Sequence, residues 1–429
     1  MNPSELLRIV DAIHRDKNID KEVVFAGIEA ALVIAAKKHY GEDQEIVIRV
    51  NRENGTITGT HNGIEITPEE MAERIGAQTA KQIIIQKIRE AERDALYAEY
   101  KELMYQLVTG VVHRIDTIPR HDRKVKILTI ALSNTEAILP EWEMIPGQQL
   151  HLNERIRAIV CDVKKKGTKV HIELSRTRVQ FVERLFEQEI PEIADGVIQI
   201  RAIAREAGYR TKVAVSSTDP RVDPVGACVG IRGNRIKNIV EELGGERIDI
   251  VPYSDDMQKM VPNALQPAEV EEVILCPMLG RAIALVREDQ LSLAIGKRGQ
   301  NVRLASKLCG WDIDIMTQPE LDQRIEKAMA DFTSLEGISE ELAERLIGEG
   351  FLTFDDLSVI EPSALMAMGN LTEDQVTQII EQAEQRAEEA EKLAAQEKQR
   401  AKQPEQQPAA ATVSPEQPTP DQSPGTPTT

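Results

Sequence analysis

Two short glycine-spaced loops hold the residues of this 429-residue chain best suited to chemistry: Gly230-Ile231-Arg232-Gly233 and Gly296-Lys297-Arg298-Gly299. They lie 66 residues apart inside longer repeats, GIRGNRIKNIVEELGGERIDI and GKRGQNVRLASKLCGWDIDI. Gly230 matches Gly296, Gly233 matches Gly299, Ile236 matches Val302 and Gly244 matches Gly310. One residue is dropped before Ile248-Asp249-Ile250 meets Ile313-Asp314-Ile315. The chemistry this spacing serves is phosphate capture. Glycine lets the backbone approach a ligand with no Cβ in the way. A helix opening just after the second glycine offers backbone N–H groups and a positive dipole end. The variable positions, Ile231-Arg232 and Lys297-Arg298, bring cation to both loops, and Arg235, Lys237 and Arg303 follow on the next helices.

Other chemistries fit poorly. Neither loop ends in the Gly-Lys-Ser/Thr of a P-loop, and no GxGxxG follows a strand. All seven histidines precede residue 172, so no Ser/His/Asp or Cys/His arrangement is recognisable. Asp249, Asp314, Asp255 and Asp256 could suggest paired metal carboxylates, but as strand ends and a loop pair they read as structural or solvated. Cys161, Cys228, Cys276 and Cys309 are far apart, which predicts reduced thiols with neither a disulfide framework nor a zinc site. These patterns point to a binding protein without catalytic residues, metal or cofactor.

The elements that position the loops repeat with them. Each copy reads helix, Gly-x-x-Gly, helix, glycine turn, strand, with TKVAVSS and GRAIALV supplying upstream strands. KH modules use this arrangement to clamp about four nucleotides of single-stranded RNA or DNA. Ahead of the repeats, residues 107–176 predict five strands (LVTGVVHRID, KVKILTIAL, TEAILP, QLHLNERIRAIVCDV, GTKVHIELS), as in a small closed barrel of the OB type. Cations gather there: Arg120, Arg123, Lys124, Lys126, then Lys164, Lys165, Lys166 and Lys169. They read either as a phosphate-tracking groove or, for Lys164, Lys165 and Lys166, as a solvated hairpin tip. His113, His121, His151 and His171 could offer ring faces to bases. A bridging helix is expected over residues 178–188, broken by Pro191.

The first 105 residues read helix, helix, hairpin, helix. Ser4 and Asp20 are the expected N-caps, Gly41 the helix stop, and Asn54-Gly55 the hairpin turn. Helix returns from Pro68, and the stretch over residues 78–104 reads as one long helix whose charged far half serves as a connector. The start lacks a secretory signal and no apolar run reaches membrane-span length, so a cytoplasmic protein is expected. Net charge is −19 with a pI near 5.0, which taken whole argues against polyphosphate partners. By segment it is −5 over 1–107, +4 over 108–176, −3 over 177–319 and −15 over 320–429. The acidity sits C-terminally and leaves room for a nucleic-acid surface in the middle.

The order of modules, together with EIPEIADG (189–196), DPVGACVGIRGNRI (223–236), ELGGERIDIV (242–251) and LAIGKRGQNVRLASKLCGW (293–311), resembles the bacterial transcription elongation, termination and antitermination factors of the NusA family. The resemblance covers about residues 1–385. It implies a multidomain α+β chain. Residues 1–105 would be a helical RNA polymerase-binding domain with a small sheet, 107–176 an S1-type OB barrel, and 177–253 and 254–319 two tandem prokaryotic-type KH domains. Residues 328–387 would be a helix-hairpin-helix-like acidic repeat, and 388–429 a disordered Pro/Gln-rich tail. It further implies a monomer that binds core RNA polymerase and nascent RNA, modulates pausing, termination and antitermination, and meets other elongation or antitermination factors through the acidic repeat. Some relatives carry two such repeats; one is visible here. KH and S1 modules also occur together in RNA decay and ribosome assembly, which is the alternative function.

Overall fold

The computed structural model describes residues 3–17, 20–41, 43–66, 77–120, 123–167 and 169–402. The chain divides into two compact units, residues 1–274 with 282–316, and residues 275–281 with 317 onward. In the first unit, α1 (Pro3–Lys17) opens on its proline, one residue ahead of the expected cap Ser4. A first-turn proline loses no intrahelical hydrogen bond, so it can take the opening position. Asp20 caps α2 (Lys21–Tyr40) by accepting from the Glu22 N–H at 2.8 Å, and Gly41 ends it. β1 (Ile46–Val50), β2 (Ile57–His61) and β3 (Ile64–Ile66) form an antiparallel meander. Leu6, Val10, Val24, Ile28, Leu32, Ile46, Ile48 and Val50 share its core. The helix expected from Pro68 lies outside the described residues until α3 (Ala77–Glu102). The far half of α3 connects as expected: Leu96, Tyr97, Tyr100 and then Leu103 and Met104 join the core of the next module.

That module is a closed barrel of β4 (Leu107–Arg120), β5 (Arg123–Ala131), β6 (Glu136–Pro140), β7 (Arg155–Lys166) and β8 (Lys169–Ser175), neighbours running β4-β5-β6-β8-β7. β7 pairs back to β4 to close it, so no edge strand is left open. β7 begins at Arg155, later than the expected strand from Gln149, because residues 149–154 turn instead. Alternating residues such as Val112, Leu128, Ile130, Leu139, Ile156, Ala158, Ile172 and Leu174 fill the interior.

α4 (Val179–Glu189) buries Phe181, Val182, Leu185 and Phe186. Pro191 starts a further turn, α5 (Pro191–Ala194), rather than simply breaking the chain. Then come β9 (Ile198–Glu206), β10 (Arg210–Ser217), α6 (Pro224–Val229), α7 (Asn234–Glu242) and β11 (Arg247–Pro252), with β10 central, antiparallel to β9 and parallel to β11. The second copy comprises α8 (Met257–Leu265), β12 (Glu272–Cys276), β13 (Arg281–Leu285), α9 (Glu288–Ile295), α10 (Gln300–Cys309) and β14 (Asp312–Met316), with sheet order β12-β13-β14.

The second unit has α11 (Gln318–Thr333), α12 (Glu340–Gly348), α13 (Phe354–Ser358), α14 (Pro362–Gly369) and α15 (Glu373–Lys402). Phe332, Leu335, Ile338, Leu342, Leu346, Phe351, Leu357, Leu365, Val376 and Ile379 are buried in it. Asp356 is buried but satisfied, accepting from the Leu352 and Thr353 N–H groups at 3.1 Å and from Arg281 at 2.7 Å. Glu336, Glu340, Glu341 and Glu344 all face solvent, while the Glu336 N–H is taken by Gln382 at 3.0 Å. The expected tail begins inside α15. Ala, Glu, Gln and Lys are strong helix formers, and Glu388–Lys392 adds an i,i+4 pair, so helix persists to Lys402. Residues 403–429 lie outside the described residues. Among those described, no helix is long and apolar enough to cross a membrane.

Within the first unit, the barrel is joined to the first KH copy by a buried ion cluster. Arg176, at 1 % exposure, donates to Glu242 Oε1 at 2.8 Å, to the Glu242 carbonyl at 2.7 Å and to Gln148 at 3.2 Å. Arg157 reaches the other Glu242 oxygen at 2.7 Å. Burial lowers the Arg176 pKa and the Glu242 carboxylate opposes that. Removing one member leaves an uncompensated buried charge, which costs far more than the pair contributes net. Glu242→Gln is therefore expected to destabilise this junction by about 3 kcal/mol, read as faster amide hydrogen exchange in β7 and α7 together. Exchange unchanged in both would contradict the assignment.

Candidate nucleic-acid interface

Both loops fold by the same local logic. α6 ends at Gly230 (φ 73°, ψ 177°) and α9 at Gly296 (φ 75°, ψ 171°), a region only glycine occupies readily. Gly233 (73°, 16°) and Gly299 (71°, 18°) are left-handed. Between them Arg232 (56°, 24°) and Arg298 (55°, 33°) are left-handed too, an uncommon state for a residue with a long side chain. α7 and α10 start directly after, and neither has a side-chain cap on its first N–H groups. Arg232, Lys297 and Arg298 are exposed and form no ion pair among the described residues. Each loop thus sets an uncapped helix start beside a fixed arginine, and this can hold a phosphate.

The flanking cations divide differently from the expectation. Arg235 is braced inward: Nη1 reaches Glu192 at 2.9 Å and the Ala227 carbonyl at 2.7 Å, and its stem lies 2.9 Å from where a Gly230 Cβ would stand. Its own backbone N–H and then Arg235 hold the Glu192 carboxyl below the usual carboxylate range. Arg303 crosses between the KH copies to Glu206 at 2.6 Å, joined there by Gln300 at 2.8 Å, and lowers the Glu206 pKa. Both arginines are thus ion-paired within the protein. Lys237 faces solvent, 3.8 Å from Glu241. Glu206 lies outside every motif of the sequence, and Glu192, Gly226, Ala227 and Asn234 lie within the family-like stretches without a role of their own there. The 66-residue offset carried one signal, since it aligns Arg235 with Asn301, so that cation is not repeated.

Asn301 is fully buried and donates to the Leu265 and Ala294 carbonyls at 2.9 and 3.0 Å, behind Gly296. Beside the first loop lies an open groove of about 590 Å³ lined by Glu192, Gly226, Ala227, Gly230, Ile231, Asn234 and Arg235.

At the barrel, Lys164 pairs with Asp162. Lys165 pairs with Asp94 of α3 at 2.8 Å and lies over the Tyr97 ring, and Arg93 donates to the Gly167 carbonyl at 3.1 Å. The hairpin tip therefore docks on α3, leaving Lys166, Lys169, Lys124 and Lys126 as exposed cations; the side chains of Arg120 and Arg123, and all of His121, lie outside the described residues. His113 and His151 face Glu136 and Glu154.

The carboxylates weighed as metal ligands have other partners: Asp249 binds Arg210 at 2.6 Å and Lys212 at 3.3 Å, Asp255 accepts from Tyr253, and Asp256 caps α8. Glu143, Cys161 and Glu173 come together, but Glu143 already accepts from Thr177 and Arg178, and burial pushes the Cys161 thiol up to about 12. All four cysteines are free.

Paired Gly-x-x-Gly clamps behind a five-stranded barrel define a tandem-KH nucleic-acid-binding protein. Family models match the NusA-like first KH domain at residues 176–253 and the NusA-like second KH domain at 257–323. The NusA N-terminal domain matches at 5–71 and 58–94, and the SAM-like helix-hairpin-helix tandem at 329–385. The transcription termination/antitermination protein NusA of Bacillus subtilis (strain 168) is 39% identical over 349 residues, 74% of this chain and 92% of that protein. That of Rickettsia prowazekii (strain Madrid E) is 34% identical over 419 residues, 88% and 81%. A solution structure of the N-terminal domain of NusA from B. subtilis, 32% identical, covers 21% of this chain and 98% of its own at a TM-score of 0.18. This chain belongs to the NusA family.

The loop dihedrals separate the glycines by tolerance. Gly230→Ala is expected to cost about 1–3 kcal/mol and to loosen α7, whereas Gly233→Asn is tolerated because Asn visits the left-handed region. Amide exchange of α7 in the two variants checks the contrast; equal loss would refute it.

Proposed function

We propose that this chain is a non-enzymatic transcription factor that holds single-stranded nascent RNA on its paired KH loops while residues 1–105 attach it to core RNA polymerase. Transcript held this way modulates pausing, termination and antitermination. The observation that carries the RNA side is the shared backbone of the two loops, each presenting a left-handed, ion-pair-free arginine beside an uncapped helix start. Family membership and the name its relatives bear support the transcription side. The barrel at 107–176 acts as an S1 module extending the RNA surface through Lys124, Lys126 and Lys166. The unit over 328–387 contacts other elongation or antitermination proteins through Glu336, Glu340, Glu341 and Glu344, since the hairpin N–H that a phosphate would seek is already bonded. The protein works as a cytoplasmic monomer without cofactor.

Asp tolerates the left-handed region better than most residues, so Arg232→Asp with Arg298→Asp preserves the loops while reversing the charge of the first and cancelling that of the second. Affinity for single-stranded RNA at fixed salt should fall about tenfold or more, with the salt slope reduced by about 1.4 for two lost phosphate contacts. Unchanged affinity and slope would sink the clamp reading. For the polymerase side, the full chain should capture core RNA polymerase, and a chain lacking residues 1–76, which keeps α3 and its barrel contacts, should lose capture while keeping RNA affinity. Capture of ribosomal subunits instead would favour a role in ribosome assembly.

A further inference from the structure

The two clamps share a backbone but differ in chemistry. Corresponding loop dihedrals agree within 10° at every position compared above, so any difference in what the loops hold comes from side chains. At the first variable position stands Ile231, 84 % exposed, against Lys297 in the second copy. At this position an aliphatic side chain can pack on the apolar face of a bound base, whereas the lysine of the second copy offers charge. Ile231 flanks the open groove, which Gly226 and Ala227 also line. The 66-residue offset places Ser292 and Leu293 at those positions in the second copy, with Leu293 45 % exposed. Charge divides the same way. The second loop carries Lys297 and Arg298, whereas the first has Arg232 alone, because Arg235 is neutralised by Glu192.

We infer that the clamps divide recognition: the second grips RNA through phosphate charge regardless of base, and the first seats one unstacked nucleotide against Ile231 in the Gly226–Ala227 groove and is the sequence-selective subsite. This rests on the reading that both loops bind single-stranded RNA. Phosphate contacts position the strand and carry no base information. They also set the salt dependence, about 0.7 in slope per phosphate on a single strand. Apolar packing adds no salt dependence, and a groove of fixed width responds to the shape of the base inside it.

Reciprocal exchange at two exposed loop positions tests this without touching a glycine. The full chain and its variants are titrated, at several salt concentrations, with a short RNA that the full chain has selected from a random pool and with a scrambled RNA of equal length. Lys297→Ile should lower the salt slope by about 0.7 and leave the selected-to-scrambled affinity ratio intact. Ile231→Lys should raise the slope by about 0.7 and reduce the ratio about tenfold. Ala227→Leu, which narrows the groove, should reduce the ratio at constant slope; α7 amide exchange reports that each variant is folded. A ratio unchanged by Ile231→Lys and Ala227→Leu, a ratio abolished by Lys297→Ile, or no preference in the wild-type chain overturns the division of labour. Wild-type affinity in the Arg232→Asp, Arg298→Asp double variant overturns the RNA-clamp reading beneath it as well.

Discussion

The guanidinium of Arg176 has left water and is held by one carboxylate, that of Glu242. Arg176 follows the last barrel strand, and Glu242 ends α7, the helix that begins at the first clamp. Among the described residues no second carboxylate pairs with it, so the need to keep this charge satisfied ties the barrel to the first clamp helix. Arg157, reaching Glu242 from β7, and the packing of α4 under the sheet extend the same constraint.

The second clamp inherits its place from the first KH copy. Glu206, at the end of β9, holds Gln300 and Arg303 in the opening turns of α10. Lys212, buried on β10, donates to the Gln266 carbonyl at 2.8 Å, and Asn301 takes the neighbouring Leu265 carbonyl. The end of α8 is thus gripped from one side by the first copy and from the other by the residue behind Gly296. Geometry passes from barrel to first clamp to second clamp through buried polar contacts local to helix ends; in them the Asn301 amide nitrogen is bonded while its oxygen is left without a partner.

Much of this was legible in the chain itself. Glycine spacing repeated with matching helices and I-D-I strands located both clamps, because left-handed backbone demands glycine at fixed offsets. Asp20 and Gly41 bounded α2 by local capping chemistry, and alternation revealed the barrel strands. What stayed hidden was pairing at a distance. Arg235 and Arg303 look like free cations beside a phosphate loop, yet Glu192 lies 43 residues and Glu206 97 residues away. Nothing in periodicity joins such pairs. Lys165 is similar: its partner Asp94 belongs to another module. The far end of α15 lies between these cases: Ala, Glu and Gln past Ala387 read as helix, and only its stop at Lys402 is not marked by any core-forming residue.

Left-handed backbone at Arg232 and Arg298 also bears on time as well as affinity. A loop that had to find this conformation on meeting its ligand would lose chain freedom at that moment, and its encounters would mostly fail. Here the glycines, the Arg235 brace and Asn301 have already fixed the loop when the protein folds. Association can then run at the pace of diffusion and charge steering. The lifetime of the complex is left to the contacts themselves. For the proposed capture of a strand still being extruded, readiness counts for more than tightness, and these two left-handed residues would supply it.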